Sequence, residues 1–225
     1  MALDFDGVDD VVDHGDIAAI DGTAALTVLL PVYVDALELT GGIITKDSGA
    51  EVTFGFCLGT NAANNNVLIY TAVSLGTRAQ STGGEVSTGA WNYWGFIYNG
   101  AGVANADRLK LYKDGVELAL SFTGTIPATL NSTAATLKTG REVNVNANFF
   151  DCKIGTVKVW TAVLTLAELI QEAQTIRLHR TSGLVLWSPY DDGTSARDYS
   201  GNGNHGTVTG ALQAAGPPVS YGGSP

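Results

Sequence analysis

The sequence predicts an all-β protein, a sandwich or barrel of many short strands, on three observations. Asp-Gly occurs at 6–7, 21–22, 114–115 and 192–193 and Asn-Gly at 99–100, dipeptides that supply the positive-φ residues of tight hairpin turns. Between them lie short runs rich in β-branched and aromatic residues, which suit a pleated surface. The 225 residues are 45% hydrophobic, enough for one domain to bury roughly 70% of the surface its unfolded chain exposes.

Taken in order, strands are expected at Ala2–Phe5, Val8–Val12, Leu26–Val34, Gly42–Thr45, Val52–Leu58, Val67–Ala72 and Ala90–Tyr98. Further strands follow at Arg108–Lys113, Val116–Ser121, Ala135–Thr139, Lys153–Trp160, Gly183–Trp187 and His205–Ala211. The hairpin Leu109 to Leu118 is the clearest: Leu109 and Leu111 share one face, Lys110 takes the other, and Asp114-Gly115 pins the register. In Val157-Lys158-Val159-Trp160 the two valines share a face, which leaves Trp160 either pointing outward or lying under a second layer. Trp91 and Trp94 have opposite parity, so one enters the core and the other faces out, and at least three of the four tryptophans read as core.

One short amphipathic helix is expected near 166–178. Thr165-Leu166-Ala167-Glu168 is a capping box, and Leu166, Leu169, Ile170, Ala173 and Ile176 follow at helical spacing. Residues 182–225 are rich in Gly, Ser and Pro and too poor in apolar residues to fold alone. They are expected to add strands to the sandwich within a single domain spanning 1–225.

Acidic residues outnumber basic ones by 22 to 12, for a net charge of −10, which opposes approach to a phosphate backbone and argues against nucleic acid. The longest apolar run, Leu26–Val34, is about half of the roughly 20 residues that span a bilayer, so no membrane insertion is expected. Cys57 and Cys152 are read as two buried small hydrophobes or one bridge. His14, His179 and His205 stand in separate turn or helix-end contexts and read as solvated or capping residues.

Several stretches, in order, resemble the laminin G-like and pentraxin-like branch of the concanavalin A-like lectin/glucanase superfamily. They are Leu3-Asp4-Phe5-Asp6-Gly7-Val8-Asp9-Asp10, Gly42-Ile43-Ile44-Thr45-Lys46, Trp91-Asn92-Tyr93-Trp94, Leu109 to Val116, Phe150 to Trp160 and Leu164 to Leu169. The resemblance covers residues 2–178 and implies a two-sheet antiparallel jelly roll. Asp198-Tyr199-Ser200-Gly201-Asn202 to Thr207 also resembles an element that precedes the Phe-Asp-Gly strand in the family, yet here it follows the domain. First and last strands of such a sandwich lie side by side, so the tail is expected to close its own sandwich or that of a neighbouring copy.

The catalytic Glu-x-Asp-x-x-Glu strand pattern of the glucanase branch is absent, as are nucleophile-elbow, zincin and phosphate-loop motifs. A non-catalytic protein is therefore expected. The resemblance implies a structural calcium near Asp6, Asp9, Asp10 and Asp151, hard oxygen ligands suited to that ion, although the family's carboxylate is missing from Ile154-Gly155-Thr156. Solvated turn aspartates are the other reading. For sugar contact the candidates are Asn64, Asn65 and Asn66, in a polar loop that is otherwise a plain turn, together with Trp94. The N-terminus carries no export signal, which leads to the expectation of a display protein on a virion surface, such as a capsid decoration or tail component. Its expected partners are further copies of itself, other virion proteins or cell-surface glycans. A secreted carbohydrate-binding module is the alternative, and a glycan-active enzyme stands third.

Overall fold

The computed structural model describes residues 1–37, 41–58, 66–71, 76–142, 148–175, 178–193 and 195–218. The chain opens with β1 (Ala2–Asp6), β2 (Val11–Asp13), β3 (Ala25–Val34), β4 (Gly41–Asp47), β5 (Val52–Leu58) and β6 (Val67–Tyr70). It continues with β7 (Arg78–Ser81), β8 (Trp91–Asn99), the single helical turn α1 (Asn105–Arg108), β9 (Leu109–Lys113), β10 (Val116–Leu118), β11 (Leu120–Thr123) and β12 (Leu137–Thr139). The last third holds β13 (Asp151–Ile154), β14 (Val157–Trp160), the helix α2 (Leu166–Gln174), β15 (Leu184–Ser188), β16 (Ser195–Ala196), β17 (Gly206–Thr209) and β18 (Leu212–Ala214).

These strands form two antiparallel sheets packed as a sandwich. The first runs β10-β9-β8-β3-β13-β1-β18, with β14 paired to β3 and β15 to β14; the second runs β11-β7-β6-β5-β4-β12-β2-β17-β16. The core lies between them, where Phe54 and Phe56 of β5 meet Trp94 and Phe96 of β8 with ring centroids 5.5–6.4 Å apart. Each such aromatic contact adds about 0.5–1.5 kcal/mol beyond area burial. Period-2 alternation explains the placement: Trp94 and Phe96 point inward, while Trp91 and Tyr93 point outward.

Local signals in the sequence are realised. The β9–β10 hairpin turns on Asp114 (φ 51°) and Gly115 (φ 80°), with Lys113 opposite Val116, the two successive positive φ angles that suit a tight hairpin. Helix α2 is capped by Thr165, whose hydroxyl accepts from Glu168 N–H while the Glu168 carboxylate accepts from Thr165 N–H. It lays Leu169 on the outer face of the first sheet over Leu29, Ile97, Tyr112 and Trp160, which settles Trp160 under a second layer.

Other expectations shift. The helix stops at Gln174 instead of 178 because the Glu172 carboxylate accepts from the N–H groups of His179 and Arg180 and turns the chain back. The strand expected over Lys153–Trp160 breaks at Gly155, opposite Pro31, which lacks the N–H that a continuous ladder needs. The strand expected over Val116–Ser121 divides as the chain crosses the edge of the sandwich: β10 pairs in the first sheet and β11 in the second. His14 is buried, contrary to the solvated reading, and contacts Tyr190 Oη and the Asn204 carbonyl. Cys57 and Cys152 are buried free thiols.

The tail contributes to both sheets. Strand β17 pairs with β2, β18 pairs with β1, and β15 pairs with β14. No helix among the described residues is long and apolar enough to cross a membrane.

Candidate functional site

The turn between β1 and β2 gathers the first candidates. Carboxylate oxygens of Asp6, Asp9 and Asp10 lie within 4.8 Å of one another. Asp6 Oδ1 accepts from Val8 N–H at 2.8 Å and Asp10 Oδ2 from Asp6 N–H at 2.9 Å. Asp151 faces Asp6 across the β1–β13 ladder, and its carbonyl accepts from Asp35 and Ala36 N–H. A pocket of about 420 Å³ is lined there by Asp4, Asp6, Asp10, Asp35, Asp151 and Lys153. Lys153 is drawn to Asp35 at 2.6 Å, which leaves the aspartates in excess over cations. Burial, then the charges of Asp6, Asp9 and Asp4, raise the Asp10 pKa against the lowering effect of the Asp6 N–H.

This donor set fits a hard divalent cation: several carboxylates and turn carbonyls on loops, with one carboxylate destabilised by its neighbours. The missing carboxylate after Ile154 has a steric cause. A Cβ at Gly155 would stand 2.6 Å from Pro31 Cγ and 3.2 Å from Pro217 Cδ, so Pro31 of β3, with Pro217 beside it, occupies the space a side chain would need.

The sugar-contact candidates fare differently. Trp94 is 1% exposed and lies in the core against Phe56, so it cannot stack on a sugar from solvent. Its parity sends it inward and Trp91 outward. Asn66 is buried as well; Asn64 and Asn65 lie outside the described residues. The tryptophans divide evenly: Trp94 and Trp160 are buried, whereas Trp91 and Trp187 are partly exposed, which corrects the reading of at least three as core.

The outer face of the first sheet, where α2 does not cover it, carries the partly exposed aromatic residues instead. Tyr33 and Trp91 form one pair with centroids 5.8 Å apart, and Lys153 Nζ lies 5.0 Å from the Tyr33 ring. Trp187 and Tyr199 form a second, 6.0 Å apart, beside Asp191. The sequence does contain one signal for Trp187: it stands opposite Lys158 in the β14–β15 ladder, and Lys158 shares the outward parity of Trp160. Reading it requires knowing that β15 pairs with β14.

Two antiparallel sheets, a core filled between them, an acidic turn and surface aromatics define a lectin-like jelly roll. The chain belongs to the concanavalin A-like lectin/glucanases superfamily, whose family model matches residues 6–170. Among solved structures, a proposed carbohydrate-binding protein of Bacteroides ovatus is 16% identical, with a TM-score of 0.72 over 97% of this chain and 61% of that one. This chain therefore spans about three fifths of that protein's length. The heptameric SAP-like pentraxin of Limulus polyphemus is 15% identical, TM-score 0.58, over 79% and 84% of the two chains. Domain 4 of the extracellular arabinanase AbnA of Geobacillus stearothermophilus, solved with arabinotriose, is 20% identical, TM-score 0.52, over 69% of each. No curated protein sequence matches the chain.

Proposed function

We propose that this protein is a non-catalytic carbohydrate-binding module that works outside the cell. The observation that carries the reading is the pair of partly exposed aromatic clusters, each with carboxylates nearby, on the open part of one sheet of a lectin-like sandwich. Sugars present flat C–H faces and a ring of hydroxyls, which aromatic side chains and carboxylates complement. The Bacteroides ovatus and Geobacillus stearothermophilus relatives support this reading over virion display, for which neither they nor the pentraxin offers a precedent. The non-catalytic part rests on the sequence, which lacks the paired-carboxylate strand pattern of the glucanases. Assembly into a homo-oligomer, as in the heptameric pentraxin, belongs to the proposal and is read by light scattering.

A glycan array probed with the purified chain tests the function: reproducible binding to a defined sugar class supports it, and a blank array rejects it. The proposal also assigns Ca²⁺ to Asp6, Asp9 and Asp10, with Asp151 as a supporting ligand. When bound, the ion would neutralise the clustered charge and tie the β1–β2 turn to β13. Adding Ca²⁺ is expected to raise the melting temperature of the chelator-treated protein, and Asp10→Asn to abolish the rise. Identical melts with and without the ion reject the metal.

A further inference from the structure

One of the two surface aromatic pairs, Trp187 and Tyr199, lines a cavity. A pocket of about 350 Å³ is lined by Met1, Thr156, Trp187, Pro189, Asp191, Tyr199 and Pro217, within the range of small-ligand sites. The tail builds most of it; only Thr156 among these comes from within the 6–170 segment that matches the family. At the other pair, Lys153 Nζ sits over the Tyr33 ring, 5.0 Å from its centroid.

The walls are held in place before any ligand arrives. Tyr199 N–H donates to the Trp187 carbonyl at 2.8 Å, and Tyr199 O–H donates to Asp191 Oδ2 at 3.0 Å. Behind them the buried Asp198 carboxylate accepts from the N–H groups of Trp187, Ser200 and Asn204 at 2.8–3.0 Å. Although burial pushes the Asp198 pKa up, these bonds together hold it below the usual carboxylate value. Such pre-organisation lowers the ordering cost of binding.

The chemistry selects the occupant. Trp187 supplies an aromatic surface and the two prolines apolar walls, while the Asp191 carboxylate offers an acceptor and Thr156 a hydroxyl. The Trp187 indole N–H is buried without a partner among the described residues, an unsatisfied donor of the kind that functional sites tolerate. The adjacent Asp191 and Asp192 and the net charge of −10 repel anionic ligands. We propose that this tail pocket binds one neutral sugar unit of a glycan, with Trp187 and Tyr199 as the apolar platform and Asp191 as hydroxyl acceptor; the inference rests on the carbohydrate-binding reading and names its site.

The test titrates arabinotriose, xylotriose, cellotriose, mannotriose and sialyllactose into the wild-type chain by calorimetry, then repeats the best binder with Tyr199→Ala, Asp191→Ala and Val103→Ala. Tyr199 and Asp191 are exposed, so their variants are expected to fold, which circular dichroism verifies. The proposal expects a neutral trisaccharide to bind, Tyr199→Ala and Asp191→Ala each to weaken it about ten-fold or more, the scale of one charged hydrogen bond, and Val103→Ala, at an exposed residue outside both aromatic pairs and the pocket lining, to leave it unchanged. A wild type that binds while both tail variants keep full affinity overturns the pocket and leaves the module reading standing. Preference for sialyllactose overturns the neutral-ligand assignment. A wild type that binds no sugar on the array or in the calorimeter rejects the module reading and the pocket with it.

Discussion

His14 lies between two residues of the tail, its Nε2 3.3 Å from Tyr190 Oη and its Nδ1 3.3 Å from the Asn204 carbonyl. Burial holds its pKa down to about 4, against the partial opposition of the Asn204 carbonyl and the charges of Asp13 and Asp198. The native ring is therefore neutral, whereas the unfolded chain takes up a proton as pH falls below about 6.5. Stability is full above that value and is lost as pH falls toward about 4, by about 3 kcal/mol in all. His14→Gln is expected to flatten the pH dependence of the urea midpoint across that window. Asp47 works in the opposite sense. It is buried with Tyr70, whose hydroxyl oxygen lies 2.9 Å from Asp47 Oδ2 and 3.2 Å from Glu142 Oε1 and has one proton to donate between them. Burial first, then the Glu142 charge, raise the Asp47 pKa against hydrogen bonds from Tyr70 and Thr45. A carboxyl raised in the fold makes its contribution at low pH and loses it as pH climbs through the native value. Asp47→Asn should therefore raise the melting temperature at pH 7 and match wild type below the ordinary carboxylate value, near pH ~3.

At the scale of elements, α2 is a nine-residue helix, too short to persist alone in water. The Thr165 cap fixes its start, while Leu169 in the second core layer and the buried pair of Lys158 Nζ and Glu172 Oε2 at 2.7 Å hold it to the sheet. The same Glu172 side chain also caps the chain beyond the helix through His179 and Arg180 N–H. Removing one partner of such a pair leaves an uncompensated charge, so Glu172→Ala should cost about 3–5 kcal/mol. Thr165→Ala, which removes both bonds of the capping hydroxyl to Glu168, should cost about 1 kcal/mol. Chemical denaturation of the two variants orders them; a milder effect for Glu172→Ala than for Thr165→Ala would contradict this account. The capping box was legible because it is a four-residue pattern. The early end of the helix was not, since it depends on where the Glu172 carboxylate finds donors after the chain turns back.

For the molecule as a whole, the tail joins distant parts. Strand β17 covers the edge of β2, β18 covers β1, and the Gly210 turn between them packs on Asp10 at the acidic pocket. Tyr190 and Asn204 receive His14, and Trp187 and Tyr199 form the second pocket. Deleting 182–225 therefore strips partners from three strands, β1, β2 and β14, and exposes unpaired backbone. The shortened chain is expected to aggregate or lose its cooperative melt, measured by light scattering and differential scanning calorimetry; a soluble, cooperatively folded 1–181 chain would show that the tail is dispensable.

Composition, turn dipeptides and alternation in the sequence determined the two-sheet antiparallel class, most strand positions, the β9–β10 hairpin and the start of α2, because each depends on neighbours a few residues apart. Parity also determined that Trp91 and Trp94 face opposite ways. Which of them faces solvent, whether Trp160 is covered, that His14 is buried and that Trp187, Asp191 and Tyr199 converge were decided only in the tertiary structure. Those outcomes turn on which strand pairs with which and on what lies over each sheet, contacts between residues as far apart as 14 and 204, and no local pattern carries that information.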